Sequence, residues 1–132
     1  MVTLKKGEDI IEEEHIGAVE GFNEYFKLGF LSKDINLIMT TKALIFEKNN
    51  SIYRVPYKKI VHIKLENKER WFGRFGYNKF INLKYKNQEG IIKNFKFISE
   101  EASYKWSLKN KDPDKLTTLL FNSLNNLIMR YG

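Results

Sequence analysis

The stretch of this chain best equipped to bind something is Lys68-Glu69-Arg70-Trp71-Phe72-Gly73-Arg74-Phe75-Gly76-Tyr77-Asn78-Lys79, where four basic side chains interleave with four aromatic rings. Lys68, Arg70, Arg74 and Lys79 can neutralise phosphate or carboxylate groups. Trp71, Phe72, Phe75 and Tyr77 can stack on bases, insert at a lipid interface or anchor a protein groove. The competing reading is that two or more of these rings fold back over a core and the glycines merely permit a tight turn. An aromatic set that stays exposed marks an interaction surface, so the segment is the candidate ligand-binding loop.

Catalytic and metal chemistry find no comparable set. The chain contains no P-loop, no GxGxxG, no GxSxG elbow and no HExxH, so no enzyme activity is expected. His15 and His62 each stand alone in strand-like runs with no second ligand at metal spacing, and with no cysteine at all, thiolate-held zinc and iron–sulfur clusters are excluded. No cofactor and no metal site is expected. Glu12, Glu13 and Glu14 are consecutive, and because strand side chains alternate faces, at most Glu12 and Glu14 share one. Gly73-Arg74-Phe75-Gly76 matches the GxxG loop of KH domains, but that loop joins two helices, whereas both flanks here read as strands.

Charge is segregated along the chain. Residues 1–34 carry four lysines against eight carboxylates, a net −4, so the remainder holds +11 of the total +7. Between Arg54 and Lys96 twelve Lys or Arg face three Glu, a surplus that attracts an acidic protein, an anionic lipid surface or nucleic acid. The plainer reading is a solvated lysine surface that blunts strand edges. The amino terminus shows no secretory signal, since its lysines are followed by Ile10-Ile11-Glu12-Glu13-Glu14 instead of an apolar core. No run of about 18 apolar residues could form a membrane-spanning helix. A cytoplasmic protein, at most peripheral to a membrane, is expected.

At 132 residues with 42% apolar content, and with no repeat or linker, the chain reads as one domain over 1–132. Its 14% aromatic content and runs of Ile, Val and Tyr favour strands. Strands are predicted over 10–16, at a sheet edge because of its glutamates, and over 35–41, 43–48, 51–55, 60–66, 79–86 and 91–98. Residues 103–109 are read as a further strand, with a short helix from 99 as the rival. Residues 17–34 fit no clear pattern. Asn49-Asn50 suits a two-residue turn, Gly90 a left-handed position in the next hairpin, and Pro56 the end of a strand. The clearest element is a helix over 112–131, capped by Asp112 with Pro113 in its first position. Its apolar stripe comprises Leu116, Leu119, Leu120, Leu124, Leu127, Ile128 and Tyr131, with Thr117 on the polar face.

This order resembles the pleckstrin-homology superfamily, in its GRAM-like and bacterial PH-like branches. The residues that carry the likeness are Leu37-Ile38-Met39-Thr40-Thr41-Lys42-Ala43-Leu44-Ile45-Phe46, similar to a family hairpin "LxLTxxRLIF", and Tyr53-Arg54-Val55-Pro56-Tyr57-Lys58-Lys59-Ile60, similar to "xRIPYxDI". Ala43 stands where Arg is usual and Lys59 where an acid is usual; both are expected outside the core. The resemblance implies a mainly β fold with α: a small barrel or orthogonal sandwich of about seven antiparallel strands capped by the C-terminal helix. Residues 17–34, matching the loop that is basic in phosphoinositide-binding members, are acidic to neutral. The expected function is a non-catalytic binding module that contacts an acidic protein or anionic membrane surface through the basic aromatic loop, with nucleic-acid binding by the same loop as the alternative.

Overall fold

The computed structural model describes residues 3–20, 32–48, 50–67, 79–99 and 113–132. It is mainly β: seven antiparallel strands in one open sheet and a C-terminal helix. The strands are β1 (Ile10–Glu20), β2 (Ser32–Thr40), β3 (Ala43–Lys48), β4 (Ser51–Pro56), β5 (Ile60–Asn67), β6 (Lys79–Lys86) and β7 (Ile92–Ser99), and the helix is α1 (Pro113–Tyr131). Their order across the sheet is β4-β3-β2-β1-β7-β6-β5, two meanders joined where β1 meets β7.

Alternation decides which side chains enter the core. Ile35, Leu37 and Met39, Leu44 and Phe46, Tyr53 and Val55, Ile81, Leu83 and Tyr85, and Phe95 and Phe97 occupy every second position and form one cluster with Ile16, Leu120 and Leu124. Tyr53 on β4 and Tyr85 on β6 lie five places apart in strand order, which would separate them by about 24 Å in a flat sheet. Their ring centroids are 5.8 Å apart, and Phe46 on β3 meets Phe95 on β7 edge-on at 5.2 Å. The sheet is therefore rolled so that its two meanders face each other across these rings.

The hairpins follow their turn chemistry. The β3–β4 pairing runs to Lys48 opposite Ser51, leaving a two-residue connection; Asn49 lies outside the described residues. In the β6–β7 turn Gly90 takes φ +80°, and the Asn87 side-chain oxygen accepts from the backbone N–H groups of Glu89 and Ile91, both at 2.9 Å. Pro56 closes β4, and a short 3-10 turn over Tyr57–Lys59 leads to β5.

Helix α1 packs on β5, β6 and β7. Its start is tied to two strands, since Asp114 Oδ1 accepts from the Lys79 N–H at 2.9 Å and Thr117 Oγ1 from the Ser99 N–H at 3.3 Å. Its far end stacks Tyr131 on Tyr57, with centroids 6.2 Å apart. The buried stripe is rotated from the one predicted. Thr117 is buried and Leu119 exposed, because the facing surface centres on Leu120, Leu124 and Tyr131, and a residue one step before Leu120 turns about 100° away. No described helix is long and apolar enough to cross a membrane.

Two further expectations are corrected. The acidic first strand is no edge strand, for β1 lies between β2 and β7 and reaches Glu20. Its halves differ, however: it pairs with β2 over Ile10–Ala18 but with β7 only over Ile16–Glu20. The glutamates therefore occupy the half that has one strand neighbour among the described residues, where Glu12 and Glu13 are exposed and Glu14 is half-buried. Ala43, expected outside the core, is buried on the outer side of β3, where it pairs with Pro56 of β4 and donates its backbone N–H to Thr40 Oγ1 at 3.0 Å. Lys59 is exposed, as expected. The predicted strand at 103–109, the Asp112 cap and most of residues 17–34 fall outside the described residues.

Arg54 was counted within the basic surplus, yet it serves the fold. Its two terminal nitrogens each donate to a Glu8 carboxylate oxygen at 2.8 Å, and the Glu8 side chain is fully buried. Glu8 also accepts from the Thr40 hydroxyl and from the Lys5 N–H. The Tyr57 hydroxyl donates to the Thr40 carbonyl at 2.7 Å, and burial pushes its pKa well above the ordinary phenol range. The Arg54 hydrogen bonds, helped by those from Thr40 and Lys5 and opposed by desolvation, lower the Glu8 carboxyl from 4.5 to about 2.

Because the folded value lies below the unfolded one, this stabilisation is complete above about pH 4.5 and is lost as pH falls toward about 2, where the unfolded chain binds the extra proton. Thermal melts should show a midpoint that drops across that window, and Glu8→Gln should lower stability by about 3 kcal/mol at neutral pH and flatten the acid limb. In denaturant titrations Leu124→Ala should cost about 3 kcal/mol, whereas Leu119→Ala should stay within about 0.5 kcal/mol of the parent.

Candidate basic interface

Of the predicted site residues, Lys79 alone is among those described; Lys68, Arg70, Trp71, Phe72, Arg74, Phe75 and Tyr77 lie outside them. Lys79 opens β6 opposite Asn67, the last residue of β5, and its ammonium donates to Asn67 Oδ1 at 2.9 Å. The described residues that flank 68–78 are therefore a paired strand end, and the Lys79 backbone is also bound to Asp114 of α1.

The face of β5, β6 and β7 that continues from this root was not anticipated as a site. Cross-strand register sets it out in rows: Glu66 beside Phe80, then Lys64, Asn82 and Lys96, then His62, Lys84 and Asn94, then Lys86 and Ile92. The intervening positions Ile63, Leu65, Ile81, Leu83, Tyr85, Phe95 and Phe97 point into or against the core, so the lysine rows face away from it. His62, Lys64 and Lys86 are exposed, while Lys84 and Lys96 are half-buried.

Adjacent strands lie about 4.8 Å apart and alternate residues along a strand about 7 Å, so Lys64, Lys84, Lys86 and Lys96 share a patch roughly 10 Å by 14 Å. Glu66 is the carboxylate on this face, and it accepts from the Asn82 side-chain amide at 3.1 Å. The Lys96 ammonium lies 5.7 Å from the centre of the half-buried Phe80 ring, which gives the cation a partly apolar seat. The result is a positive face set on paired strands, suited to attracting anionic groups.

The opposite half of the sheet presents a different outer face. There Ile38, Ala43 and Ile45 are buried on the side away from the main core, and by register Ile45 lies beside Arg54, whose charge is spent on Glu8. His15 and His62 are both exposed, and no group of three or more metal-ligating side chains comes together among the described residues. The signal for the basic face was present in the alternation of Phe80, Asn82, Lys84 and Lys86, but joining it to Lys64 and Lys96 required the strand register.

The chain matches no protein-family model and no curated protein.

Charge reversal on this face should leave the fold intact. Lys64→Glu with Lys84→Glu should keep the melting midpoint within a few degrees of the parent, since neither side chain enters the core. The same pair should elute from a phosphate-bearing resin at clearly lower salt.

Proposed function

We propose that this chain is a non-catalytic binding module of pleckstrin-homology-like fold that contacts an acidic protein or an anionic membrane surface. In this reading residues 68–79 and the lysine face of β5–β7 both take part in the contact. The observation that carries it is the register that gathers Lys64, Lys84, Lys86 and Lys96 on the side opposite the core, beginning where the loop is rooted. Four lysines of three strands share the outer parity, while Ile63, Leu65, Ile81, Leu83, Tyr85, Phe95 and Phe97 share the inner one.

The fold part of the reading is supported by the two meanders and terminal helix, and by where the family-like stretches lie. The Leu37–Phe46 stretch forms most of β2 and β3, and the Tyr53–Ile60 stretch spans β4, the 3-10 turn and the start of β5. A fold of this type does not carry a function with it, so the surface has to argue the function. A chain with no cysteine suits a reducing compartment such as the cytoplasm. Nucleic-acid binding needs ring platforms for bases, and the aromatic on the described face, Phe80, is half-buried beneath Lys96. On the lysine face this supports a partner with clustered acidic groups, and base stacking by the aromatics of 68–79 is the alternative.

Titration against neutral vesicles, anionic vesicles, an acidic polypeptide and a single-stranded oligonucleotide at two salt concentrations tests this directly. Salt-sensitive binding to anionic vesicles or the polypeptide supports it, and binding to none of the anionic probes overturns it. Trp71→Ala with Arg74→Ala should weaken that binding about tenfold with an unchanged melting midpoint. If the double variant loses its fold, the loop belongs to the core and its part in the proposal is lost.

A further inference from the structure

Helix α1 has an outer side whose composition the packing of its inner side does not explain. In a chain that is 30% charged, the fourteen residues from Leu116 to Met129 include no Asp, Glu, Lys or Arg, and the cations Lys115 and Arg130 stand just outside that stretch. A helix that buries one stripe normally keeps its charges on the other side. Here the outer side instead shows Leu119, 53% exposed, and Met129, 77% exposed, with exposed Asn122 and Asn126 between them. At 100° per residue these four share a sector of about 80°, on the far side from Leu120 and Leu124, which enter the core.

We infer that this side of α1 is where two copies of the chain pair, their helices antiparallel about a two-fold axis at the level of Leu124. An uncharged strip with charge only at its ends has the make-up of an interface centre. An anionic partner would find no lysine within the strip and a cationic partner no carboxylate, so the surface that matches it is one of the same kind. The spacing is palindromic: Leu119 and Met129 lie five residues to either side of Leu124, and Asn122 and Asn126 two residues to either side. A two-fold contact sets position i against j and j against i, so Leu119 of one copy meets Met129 of the other, and Asn122 meets Asn126. Each of those amides offers both a donor and an acceptor and can bond its like, and asparagine in such a seam fixes the register of a helix pair. Antiparallel helices also bring opposite ends of their dipoles together.

With two large apolar side chains from each copy, the contact is small and the dimer weak. Because α1 lies against the inner side of β5, β6 and β7, pairing through its outer side leaves both lysine faces open. The inference is therefore independent of what those faces bind.

In sedimentation velocity the parent should pass from monomer to dimer, and no further, as its concentration rises about a hundredfold to about 1 mM. The shift should persist in high salt, since no ion pair holds the strip together. Leu119→Glu and Met129→Glu should each stay monomeric throughout, with melting midpoints in dilute solution within a few degrees of the parent, because both positions are exposed. The described residues contain no cysteine and the whole sequence has none, so introduced thiols report the geometry cleanly. Under mild oxidation an equal mixture of Leu119→Cys and Met129→Cys should yield a linked dimer. Neither variant alone should link, because identical positions stand about 15 Å apart along antiparallel axes.

A parent that stays monomeric to the highest concentration overturns the inference, as does either glutamate variant that dimerises like the parent, or a single cysteine variant that links as readily as the mixture. A monomeric parent that still binds anionic vesicles or the acidic polypeptide sinks the dimer and leaves the proposed function standing. A dimer that binds no anionic probe does the reverse.

Discussion

Contact between the rings of β3 and β4 and those of β6 and β7 is the constraint from which the rest of the structure follows. Strands three and five places apart can bring Phe46 onto Phe95 and Tyr53 onto Tyr85 only if the sheet rolls up. Once it has rolled, one face of every strand is committed to the interior and the other is left to water or to a partner. Each large ring buried this way contributes about 2 to 3 kcal/mol gross, so the cluster of Phe46, Tyr53, Tyr85, Phe95 and Phe97 supplies much of the driving force. The rolled sheet also needs a cover where β5, β6 and β7 would expose Ile81 and Leu83, and Leu120 and Leu124 of α1 provide it.

The outward face is used in two ways. Across β2, β3 and β4 it is closed by apolar Ile38 and Ile45 and by the Glu8–Arg54 pair, a buried ion pair whose lone pairs and donors are largely matched by Thr40, Lys5 and Thr3. A buried carboxylate with that many donors holds the amino-terminal arm to the hairpin because releasing it would strand the Arg54 charge. Across β5, β6 and β7 the outward face keeps its lysines exposed or half-exposed. A basic side chain therefore has opposite meanings on the two halves: Arg54 is consumed by the fold, and Lys64, Lys84 and Lys86 are left available to the surroundings.

Much of this was legible in the residues. The boundaries of β3 and β6, the left-handed Gly90 and the existence of the terminal helix follow from alternation, turn chemistry and 3.6-residue periodicity, all of which act over a few neighbouring residues. The errors have a common cause. Glu12–Glu14 suggested an edge strand, yet a strand can be interior in order and open along half its length. Ala43, Thr117 and Leu119 were assigned to the wrong environments because the face each one meets is set by how elements pair and pack: the end of β7 lies against Thr117, and Ala43 pairs with Pro56 of β4.

The candidate site divides in the same way. Composition and spacing alone determined that this chain is β-rich, closes with an amphipathic helix, has no cysteine thiolate to offer, and carries a basic aromatic stretch between two strands, because each of these is a property of residue types and short-range periods. That Lys64, Lys84, Lys86 and Lys96 form one plane, and that Arg54 does not belong to it, was decided only by tertiary structure. Pairing register places residues up to some thirty positions apart side by side, and a shift of a single residue would have turned those same lysines toward the rings.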